Sequence, residues 1–384
     1  MGSDKLEIKD QENRDTVLQL TLDHQKLIER FGARKMSDLK EKPDFYSFRN
    51  NLIVSHRDFD GFYSRLKAGN PSAIVSGFNA SSYPHIGHIG VFDTNRYFQE
   101  KYGCQVFIPI SDDESYVSGK VKSQEEGLKK SLLLARSAVA LGFKLGLTRV
   151  IIDQLYTNVY NFAIRLSRSV TMSMVKASYG YGNDRNVGLF FYPAVQSAHV
   201  LMPNLFGIGN VLVPIGPDED PHLRICRDIA ELHGYRKPAV IHSKFMPGID
   251  GGKMSKSKGN AIFLVEDEKT IRKKIANAFS GGQASIEEHR RVGGNLDIDV
   301  PFIYLKHYFL SPEESARVGE EYRSGRLLSG EMKKMLTDRV VELVAKFQDR
   351  YSKVKESDLM KVIIANEEID LQALFDRLGI FEEV

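Results

Sequence analysis

Short apolar runs alternate with longer amphipathic stretches through the middle of the chain. The apolar runs have the length of strands, and the predicted strands are Ala73–Phe78, Gln105–Ile110, Thr148–Asp153, Asn210–Ile215 and Ala239–His242. The stretches between them carry apolar residues at helical spacing, and the predicted helices are His88–Tyr102, Gln124–Leu141, Thr157–Lys176, Pro193–Leu201 and Asp220–His233. Because strands that alternate with helices form parallel sheets, this pattern predicts an α/β domain with helices on both faces of the sheet.

The pattern is different at both ends of the chain. Toward the N-terminus the sequence is polar and mixed, with helices predicted near Asp23–Phe31 and Asp58–Lys67, the second opening at the polar residues Ser55–Asp58. From Glu268 to the end the pattern is almost entirely helical. We therefore predict three parts, which are an N-terminal appendage (1–70), a Rossmann-like doubly wound parallel sheet domain that carries the chemistry (71–265) and an all-helical domain (266–384). Ligands of such sheets bind at the carboxyl ends of the strands, where the strand order reverses.

Composition and charge indicate an ordinary globular protein rather than a disulfide-stabilised or membrane-spanning one. Of the 384 residues, 42% are hydrophobic and 27% are charged, which is ordinary for a globular protein. The net charge is only +3, so binding to nucleic acid would need local basic patches. Two cysteines, Cys104 and Cys226, are too few for a disulfide framework, lack zinc-site spacing and are expected to be buried thiols. The start of the chain has no apolar leader and no run approaches about 18 apolar residues, so we expect a cytoplasmic protein without a membrane segment.

A histidine segment, Pro84-His85-Ile86-Gly87-His88, follows the first predicted strand and opens a predicted helix. His85 and His88 are three residues apart, which places both on one face of a helix start. A helix N-terminus attracts anions, and Gly87 leaves room for a ligand to approach the backbone. Two imidazoles there would donate hydrogen bonds to phosphate oxygens, although a helix start that merely carries two histidines is an equally good interpretation. A metal site is disfavoured because no third ligand lies nearby.

A basic loop, Gly251–Asn260, is the second candidate for binding a polyphosphate. Lys253, Lys256 and Lys258 lie close together in it and glycines flank them. Ordering such a loop costs conformational entropy, so it needs a polyanionic partner, and the compact lysine ammonium suits phosphate. Taken alone, the loop is more typical of a solvated surface, and it is not a P-loop because a methionine follows Lys253.

Together, the two segments resemble the two signature motifs of class I aminoacyl-tRNA synthetases. Pro84–His88 matches the first motif, and Lys253-Met254-Ser255-Lys256-Ser257 matches the second. Further segments resemble archaeal and eukaryotic tryptophanyl-tRNA synthetases, and these are Val54–Asp58, Ser111–Glu114, Tyr192–Gln196, Asp218–Pro221, Phe279–Gly282, Ile286–Arg290, Gly293–Val300 and Ser329–Lys333. The resemblance extends from about residue 23 to residue 355, which is nearly the whole chain.

The resemblance implies a reaction in which the carboxylate of tryptophan attacks the α-phosphate of ATP, with Mg²⁺ on the phosphates. The acyl group then passes to the terminal adenosine of tRNA(Trp). Family membership also implies a homodimer. In this reaction His85 and His88 would stabilise charge at the phosphoryl group, and Lys253 and Lys256 would follow the leaving pyrophosphate. The residues implied to contact the nucleotide are Ser76, Gly77, Gly87, Met254, Ser255 and Ser257.

The expected amino-acid pocket departs from the family pattern at two positions. Val75 and Pro109 stand where archaeal and eukaryotic relatives usually carry a tyrosine and a glutamine that contact the indole N–H. Neither residue has a side-chain acceptor, and an unpaired buried indole N–H would cost about 1–3 kcal/mol. His199, about one helical turn after Gln196, is a candidate replacement, because a neutral imidazole can accept from the indole. A structural helical histidine is the other interpretation.

Other contacts to the amino acid follow the family pattern. The resemblance assigns its polar groups to Glu114 and Gln196, while Glu219 stands in place of a glutamine and would still meet an ammonium group. We therefore expect tryptophan to remain the substrate in a rebuilt side-chain pocket.

Three alternatives stay open at the level of sequence. A tyrosyl-type synthetase shares both motifs, although Val75 and His199 replace the tyrosine and aspartate that such enzymes use for the phenol hydroxyl. A synthetase-like paralogue would bind RNA or a nucleotide, or would act with an altered amino-acid specificity. A nucleotidylyltransferase with the same histidine motif would leave residues 270–384 unexplained. In a synthetase the helical domain reads the anticodon, and its basic clusters are Arg272–Lys274, His289–Arg291 and Lys333–Lys334.

Overall fold

A computed structural model describes residues 27–29, 31–254 and 258–382 of the chain. The chain divides into two compact units and passes through each of them three times. The first unit contains Met1–Ser55, Pro84–Gly90 and Ser243–Gln348, and the second contains His56–Tyr83, Val91–His242 and Asp349–Val384. Because neither unit is one continuous stretch, this division differs from the three predicted parts, whose boundaries at residues 70 and 265 remain predictions.

The described residues contain nine strands, numbered β1 to β9 along the chain. Their bounds are Arg34–Lys35 (β1), Ile53–Arg57 (β2), Ser72–Val75 (β3), Phe78–Asn79 (β4), Gln105–Ser111 (β5), Thr148–Ile152 (β6), Asn210–Ile215 (β7), Ala239–Ser243 (β8) and Ile363–Ile364 (β9). The predicted strand at Asn210–Ile215 has the bounds of β7, and the other predicted strands overlap β3 to β6 and β8.

A parallel sheet forms the centre of the second unit, with its strands in the order β8-β7-β3-β5-β6-β9. The strand order reverses at β3, which pairs with β5 on one side and with β7 on the other. Ala73, Ile74, Val106 and Leu212 on these strands have no exposed surface. Strands with fully buried apolar residues are typical of a parallel sheet that helices cover on both faces. The predicted Rossmann-like doubly wound sheet is therefore confirmed.

Helices make up most of the remaining described residues. Those of the second unit are Phe59–Lys67, Asp112–Val117, Gln124–Ala140, Asn158–Ser167, Met172–Tyr179, Val187–Leu201, Asp220–Leu232, Glu356–Val362 and Leu371–Leu378. Those of the first unit are Tyr46–Arg49, Glu268–Ala276, Ile286–Val292, Val300–Tyr304 and Pro312–Arg323. Two helices, Ile86–Tyr102 and Ser329–Lys353, have residues in both units. The helical character predicted from Glu268 onward is confirmed, apart from the two residues of β9.

The core of the second unit joins its sheet to two of its helices. Phe162 and Leu166 of the helix Asn158–Ser167 lie in one buried cluster with Ala194 and Ala198 of the helix Val187–Leu201. The same cluster contains Val75 of β3. Burial of each large apolar side chain of this kind contributes about 1.5–3 kcal/mol, so this cluster holds the carboxyl end of β3 against the helices.

The structure changes the details of two predicted helical stretches. The predicted helix Asp58–Lys67 is confirmed as Phe59–Lys67, and Nδ1 of His56 accepts the Phe59 N–H at 3.3 Å. Ser55–Arg57 belong to β2, however, and Asp58 before the helix is left-handed (φ 52°). The stretch Thr157–Lys176 is two helices, Asn158–Ser167 and Met172–Tyr179. Thr171 separates them, because its backbone is extended and its side chain accepts the Met174 N–H as an N-cap.

Three further expectations concern the first predicted helix, the two cysteines and membrane segments. The predicted helix at Asp23–Phe31 lies largely outside the described residues, of which 27–29 and 31 are helical. Cys104 and Cys226 are buried free thiols, as predicted, and burial raises the pKa of each to about 12. Within the described residues, no helix combines the length and the apolar character that a membrane span requires.

Asp299 ties together several segments of the first unit. Its Oδ1 accepts the Phe302 N–H at 2.8 Å and so caps the helix Val300–Tyr304. Its Oδ2 accepts from the Gly281 N–H at 3.0 Å and from the Tyr322 hydroxyl at 2.7 Å. Gly293 lies beside this network with φ 74°, and a Cβ there would be 1.7 Å from the carbonyl oxygen of Arg323. Only glycine fits that position without displacement of the backbone.

We predict that Gly293→Ala lowers the free energy of unfolding by about 1–3 kcal/mol, because the substitution adds both a positive-φ penalty and a backbone clash. The matched control is Gly330→Ala near the start of the helix Ser329–Lys353, where a Cβ would meet nothing within 4 Å. The control should be neutral or slightly stabilising. Urea unfolding of both variants provides the measurement, and equal stabilities would contradict the steric account.

Candidate active site

The histidine segment pairs with the residues that follow the basic loop, within the first unit. The Ile86 N–H donates to the carbonyl oxygen of Ile262 at 2.9 Å, and the Leu264 N–H donates to that of Pro84 at 3.0 Å. His85 and Phe263 form an antiparallel bridge between these two hydrogen bonds. The helix Ile86–Tyr102 begins directly after His85, so the predicted helix start is confirmed.

The two imidazoles of this segment lie against each other at an angle of 34°, and their tautomers can be assigned. Their ring centres are 3.8 Å apart. Nδ1 of His85 accepts the Gly87 N–H at 3.2 Å, and Nδ1 of His88 accepts the His85 N–H at 3.1 Å. Because each Nδ1 accepts a backbone hydrogen bond, the proton of each neutral ring lies on Nε2. Burial lowers the pKa of both histidines, that of His88 to about 4, so both rings are neutral donors at pH 7.

The two candidate motifs meet at Gly87. A Cβ on Gly87 would be 3.1 Å from Sδ of Met254 and 3.0 Å from the His85 ring, so a larger residue would crowd both neighbours. Lys253 precedes this contact, and its exposed ammonium lies 5.7 Å from the centre of the Phe245 ring. The structure therefore brings His85, Gly87 and His88 together with Met254, the chain neighbour of Lys253. The predicted residues Ser255, Lys256 and Ser257 lie outside the described residues.

A second group of predicted residues lies at the carboxyl end of the sheet, in the second unit. Val75 ends β3 and is 98% buried, and the next residue, Ser76, donates its N–H to the carbonyl oxygen of Phe107 at 3.0 Å. A Cβ on Gly77 would be 2.4 Å from the carbonyl oxygen of Pro109 in β5. Glycine is therefore required at position 77 by the neighbouring strand itself. Val75, Ser76, Gly77 and Pro109 thus line adjacent strand ends, where α/β sheets bind ligands.

Glu114 lies on the short helix Asp112–Val117 that follows β5. Its carboxylate accepts from Asn79 of β4 and pairs with the Lys120 ammonium, which is 2.9 Å from Oε1. The side chain is only 13% exposed. A carboxylate in this position can exchange its lysine partner for the ammonium group of an amino acid.

Gln196, Glu219 and His222 form a second polar group of the same unit. Oε1 of Gln196 accepts from the Tyr179 hydroxyl at 3.2 Å and from Nδ1 of His222 at 2.8 Å. Nδ1 of His222 is 3.6 Å from Oε2 of Glu219. Burial and the neighbouring charge of Asp218 raise the pKa of Glu219, so this carboxyl group retains protons at higher pH than usual. A cationic ligand would favour its charged form.

His199 is buried and paired, rather than open to a ligand at both ring nitrogens. Its Nε2 lies 2.6 Å from Oδ1 of Asp153, the residue that follows β6. Burial lowers the pKa of His199 to about 4 and raises the pKa of Asp153. Carboxylate oxygens of Asp153, Asp112 and Asp113 lie within 4.8 Å of one another. This environment favours a neutral imidazole, and one of its two nitrogens already has a partner.

The sequence patterns do not indicate a role for several polar residues of these groups. Asp153 is predicted only as the last residue of a strand, and Tyr179 and His222 belong to no predicted site. Each acts through a partner that is distant in sequence, such as His199 for Asp153 and Gln196 for the other two. The only sequence signal was a polar residue placed directly after an apolar strand, as at Asp153.

A buried ion-pair network fixes the turn that carries Glu219. Arg57 at the end of β2 donates from Nε and Nη2 to the two carboxylate oxygens of Asp220 at 2.7 and 2.8 Å. Nε2 of His242 in β8 is 3.0 Å from Oδ1 of Asp220. Burial alone would raise the pKa of Asp220, but the hydrogen bonds from His242 and Arg57 hold that pKa below its ordinary value. Asp220 directly follows Glu219, so the network also orients that residue.

Comparisons with known proteins show the family of the chain. Residues 67–345 match the family model described as tRNA synthetases class I (W and Y). The chain is 37% identical to the tryptophan–tRNA ligase of Sulfolobus acidocaldarius, over 87% of this chain and 91% of that protein. It is 41% identical to tryptophan–tRNA ligase 2 of Halobacterium salinarum, over 86% and 87%. The structure of tryptophanyl-tRNA synthetase from Giardia lamblia superimposes with a TM-score of 0.83 at 28% identity, over 91% of this chain and 98% of that one.

We predict that Asp220→Asn lowers the free energy of unfolding by about 3–5 kcal/mol at pH 7, because it leaves the largely buried guanidinium of Arg57 without its carboxylate counterion. The folded-state pKa of Asp220 is depressed, so its contribution is complete above about pH 4 and is lost as the pH falls below that value. The difference between the variant and the wild type should therefore shrink as the pH falls below about 4 in urea titrations. Asp228→Asn, on the exposed face of the same helix, is the control and should differ little from the wild type across that range. A difference that does not depend on pH would contradict the ion-pair account.

Proposed function

The chain belongs to the class I tRNA synthetases of the tryptophan and tyrosine type, and from that premise we propose that it is a tryptophan–tRNA ligase. It activates tryptophan with ATP to the aminoacyl-adenylate and transfers the acyl group to the 3′-terminal adenosine of tRNA(Trp). The observation that carries this proposal is the contact of Gly87 with Met254, which joins two motifs distant in sequence. The similar proteins named tryptophan–tRNA ligase support the choice of amino acid.

In the activation step, negative charge shifts onto the phosphates as the carboxylate attacks the α-phosphate and pyrophosphate leaves. Neutral His85 and His88 donate from Nε2 to phosphate oxygens, and Lys253 and Lys256 stabilise the leaving pyrophosphate. Fixed donors aimed at developing charge lower the barrier without further reorganisation. Because no nucleophilic side chain is needed, the rest of the rate acceleration comes from positioning of the two substrates. Ser76, Gly77, Gly87, Met254, Ser255 and Ser257 contact the nucleotide in this proposal.

The amino acid is held by residues of the second unit. Glu114 and Glu219 meet the ammonium group, and Gln196 orients it through its carboxamide. Val75 and Pro109 line the indole without offering an acceptor. We propose His199 as that acceptor through Nδ1, which requires the tautomer whose proton is on Nε2, the nitrogen that faces Asp153.

Magnesium enters this reaction on the phosphates of ATP. The described residues of the two motifs are imidazoles, a lysine and a thioether, whereas Mg²⁺ prefers oxygen ligands such as carboxylates. These residues do not fit a magnesium site of the protein's own. The carboxylates of Asp112, Asp113 and Asp153 are grouped in the second unit, but burial raises the pKa of all three, so they favour protons. The ion therefore belongs with the nucleotide as part of the substrate.

Transfer RNA is the second substrate, and the helical part of the chain (266–384) is proposed to read its anticodon. Several members of its basic clusters have internal partners: Arg290 donates to the carbonyl oxygen of Gly325 at 2.9 Å, and Lys333 donates to that of Ala276 at 2.9 Å. Contacts with RNA would fall to other exposed members, such as Lys273 and Arg291. A homodimer and a cytoplasmic location are proposed from the resemblance alone.

The alternative functions are less favoured. The similar proteins reported above are named for tryptophan, although the family model also covers tyrosine enzymes. A paralogue without aminoacylation would have no need for two intact motifs in contact. A nucleotidylyltransferase does not account for a match that continues to residue 345.

The test is amino-acid-dependent exchange of labelled pyrophosphate into ATP across the twenty amino acids, followed by aminoacylation of tRNA(Trp) transcript. We expect exchange with tryptophan and rates with tyrosine and phenylalanine lower by at least about 100-fold, since a buried polar acceptor rejects side chains that do not pair with it. Exchange with tyrosine in place of tryptophan would show that the protein is a tyrosyl-type synthetase. The absence of exchange with every amino acid would contradict the proposed function.

A further inference from the structure

The base of the basic loop is closed by a hydrogen-bonded pair, Asp250 and Asn260, here called the clasp. Nδ2 of Asn260 donates to Oδ1 of Asp250 at 2.8 Å and to the carbonyl oxygen of Lys253 at 3.1 Å. Oδ1 of Asp250 also accepts the Gly252 N–H at 3.0 Å. One carboxamide therefore connects the two ends of the loop and holds the backbone of Lys253 directly.

Backbone hydrogen bonds support the clasp from the residues before it. The Ile249 N–H donates to the carbonyl oxygen of Asn260 at 2.8 Å, and the Gly248 N–H donates to that of Gly252 at 2.7 Å. Pro247 and Lys253 form an antiparallel bridge. These contacts pair the backbone of residues 247–249 with that of residues 252, 253 and 260.

The side chain of Asn260 is tightly enclosed. Asn260 is only 5% exposed, and a Cβ on Gly248 would lie 2.3 Å from its Nδ2. A buried carboxamide that bonds both a carboxylate and a main-chain carbonyl has little freedom to rotate. Its position therefore fixes the carbonyl of Lys253 and, through it, the direction in which the lysine side chain leaves the backbone.

An ammonium group on a flexible loop loses backbone freedom when it binds a phosphate, and each backbone position that is fixed beforehand reduces this loss. Lys253 is exposed, so its ammonium is available to solvent, while its backbone is held. We propose that Asp250 and Asn260 are positioning residues that direct Lys253 toward the pyrophosphate end of the nucleotide. The inference rests on the proposed function and deepens it, because it names the residues that hold the backbone of Lys253 in place before the nucleotide binds.

The first experiment compares kinetic constants of pyrophosphate exchange. Asn260→Ala and Asp250→Ala should lower kcat by about 10- to 100-fold, because a small misplacement of a charge-stabilising group has an effect of this size. The KM for tryptophan should stay within about twofold, since neither residue contacts the amino acid. Asp250→Asn retains an acceptor oxygen and should keep clearly more activity than Asp250→Ala. Equal losses in the two Asp250 variants would overturn the hydrogen-bonding role.

A matched control separates positioning from a general loss of stability. Asp267 caps the helix Glu268–Ala276 by accepting the Thr270 N–H at 2.8 Å, so Asp267→Ala also removes a carboxylate–backbone hydrogen bond in the first unit. Its kcat should remain near the wild-type value. A decrease in kcat that matches that of Asp250→Ala would overturn the proposal, because it would show that any such hydrogen bond has this effect.

A double-mutant cycle with Lys253→Ala is the sharper test. If the clasp acts through Lys253, Asn260→Ala should have little further effect on kcat once the lysine is absent. Effects that multiply in the double variant would overturn the proposal, since Asn260 would then act independently of Lys253.

A binding measurement makes the test independent of turnover. Calorimetry with inorganic pyrophosphate should show about tenfold weaker binding to Asn260→Ala than to the wild type, and no further weakening when this change is added to Lys253→Ala. Unchanged affinity in Asn260→Ala would overturn the clasp. If the wild type binds pyrophosphate but shows no exchange with any amino acid, the proposed function fails and the calorimetric cycle still decides on the clasp.

Discussion

The pairing of Pro84–His88 with the strand-like segment Ile262–Leu264 is the constraint on which the rest of the site depends. Two hydrogen bonds, from Ile86 to Ile262 and from Leu264 to Pro84, hold the histidine segment against the chain just after the basic loop. This pairing sets the start of the helix that carries His88 and leaves Gly87 against Met254. Without it, two motifs far apart in sequence would have no fixed relation within the first unit. Gly87 is small because it lies at this contact.

The same local geometry determines how the histidines can act. Both Nδ1 atoms accept backbone N–H groups, and burial keeps both rings uncharged, so each ring is a directed Nε2–H donor rather than a cation. The positive charge for a polyphosphate therefore has to come from lysines. In the second unit burial likewise favours the uncharged forms of ionisable side chains, and Asp153 and His199 are paired there. In the proposed function the first unit supplies donors to phosphate, and the second supplies a mixed polar lining for the amino acid.

Sequence patterns were sufficient for the sheet and for the identity of the motifs. β7 was predicted with its observed bounds because an apolar run follows Asn210 and a glycine flanks the strand at each end, at Gly209 and Gly216. The network of Arg57, Asp220 and His242 was not predictable, because its members are separated by many residues and each alone resembles an ordinary surface residue. Thr171 is a local example. Its side chain caps a new helix at Met172, so the stretch Thr157–Lys176 is divided although its apolar spacing is continuous. The division into two units could not be predicted either, because it follows contacts between distant segments rather than changes in composition.

The most direct test of the account is a crystal structure of the protein with a non-hydrolysable ATP analogue. The account predicts that Nε2 of His85 and of His88 and the Lys253 ammonium all lie within about 3.5 Å of phosphate oxygens of one nucleotide. It also predicts that the hydrogen bonds between Pro84–Ile86 and Ile262–Leu264 remain intact. A nucleotide whose phosphates contact neither imidazole, or a histidine segment released from Ile262–Leu264, would contradict it.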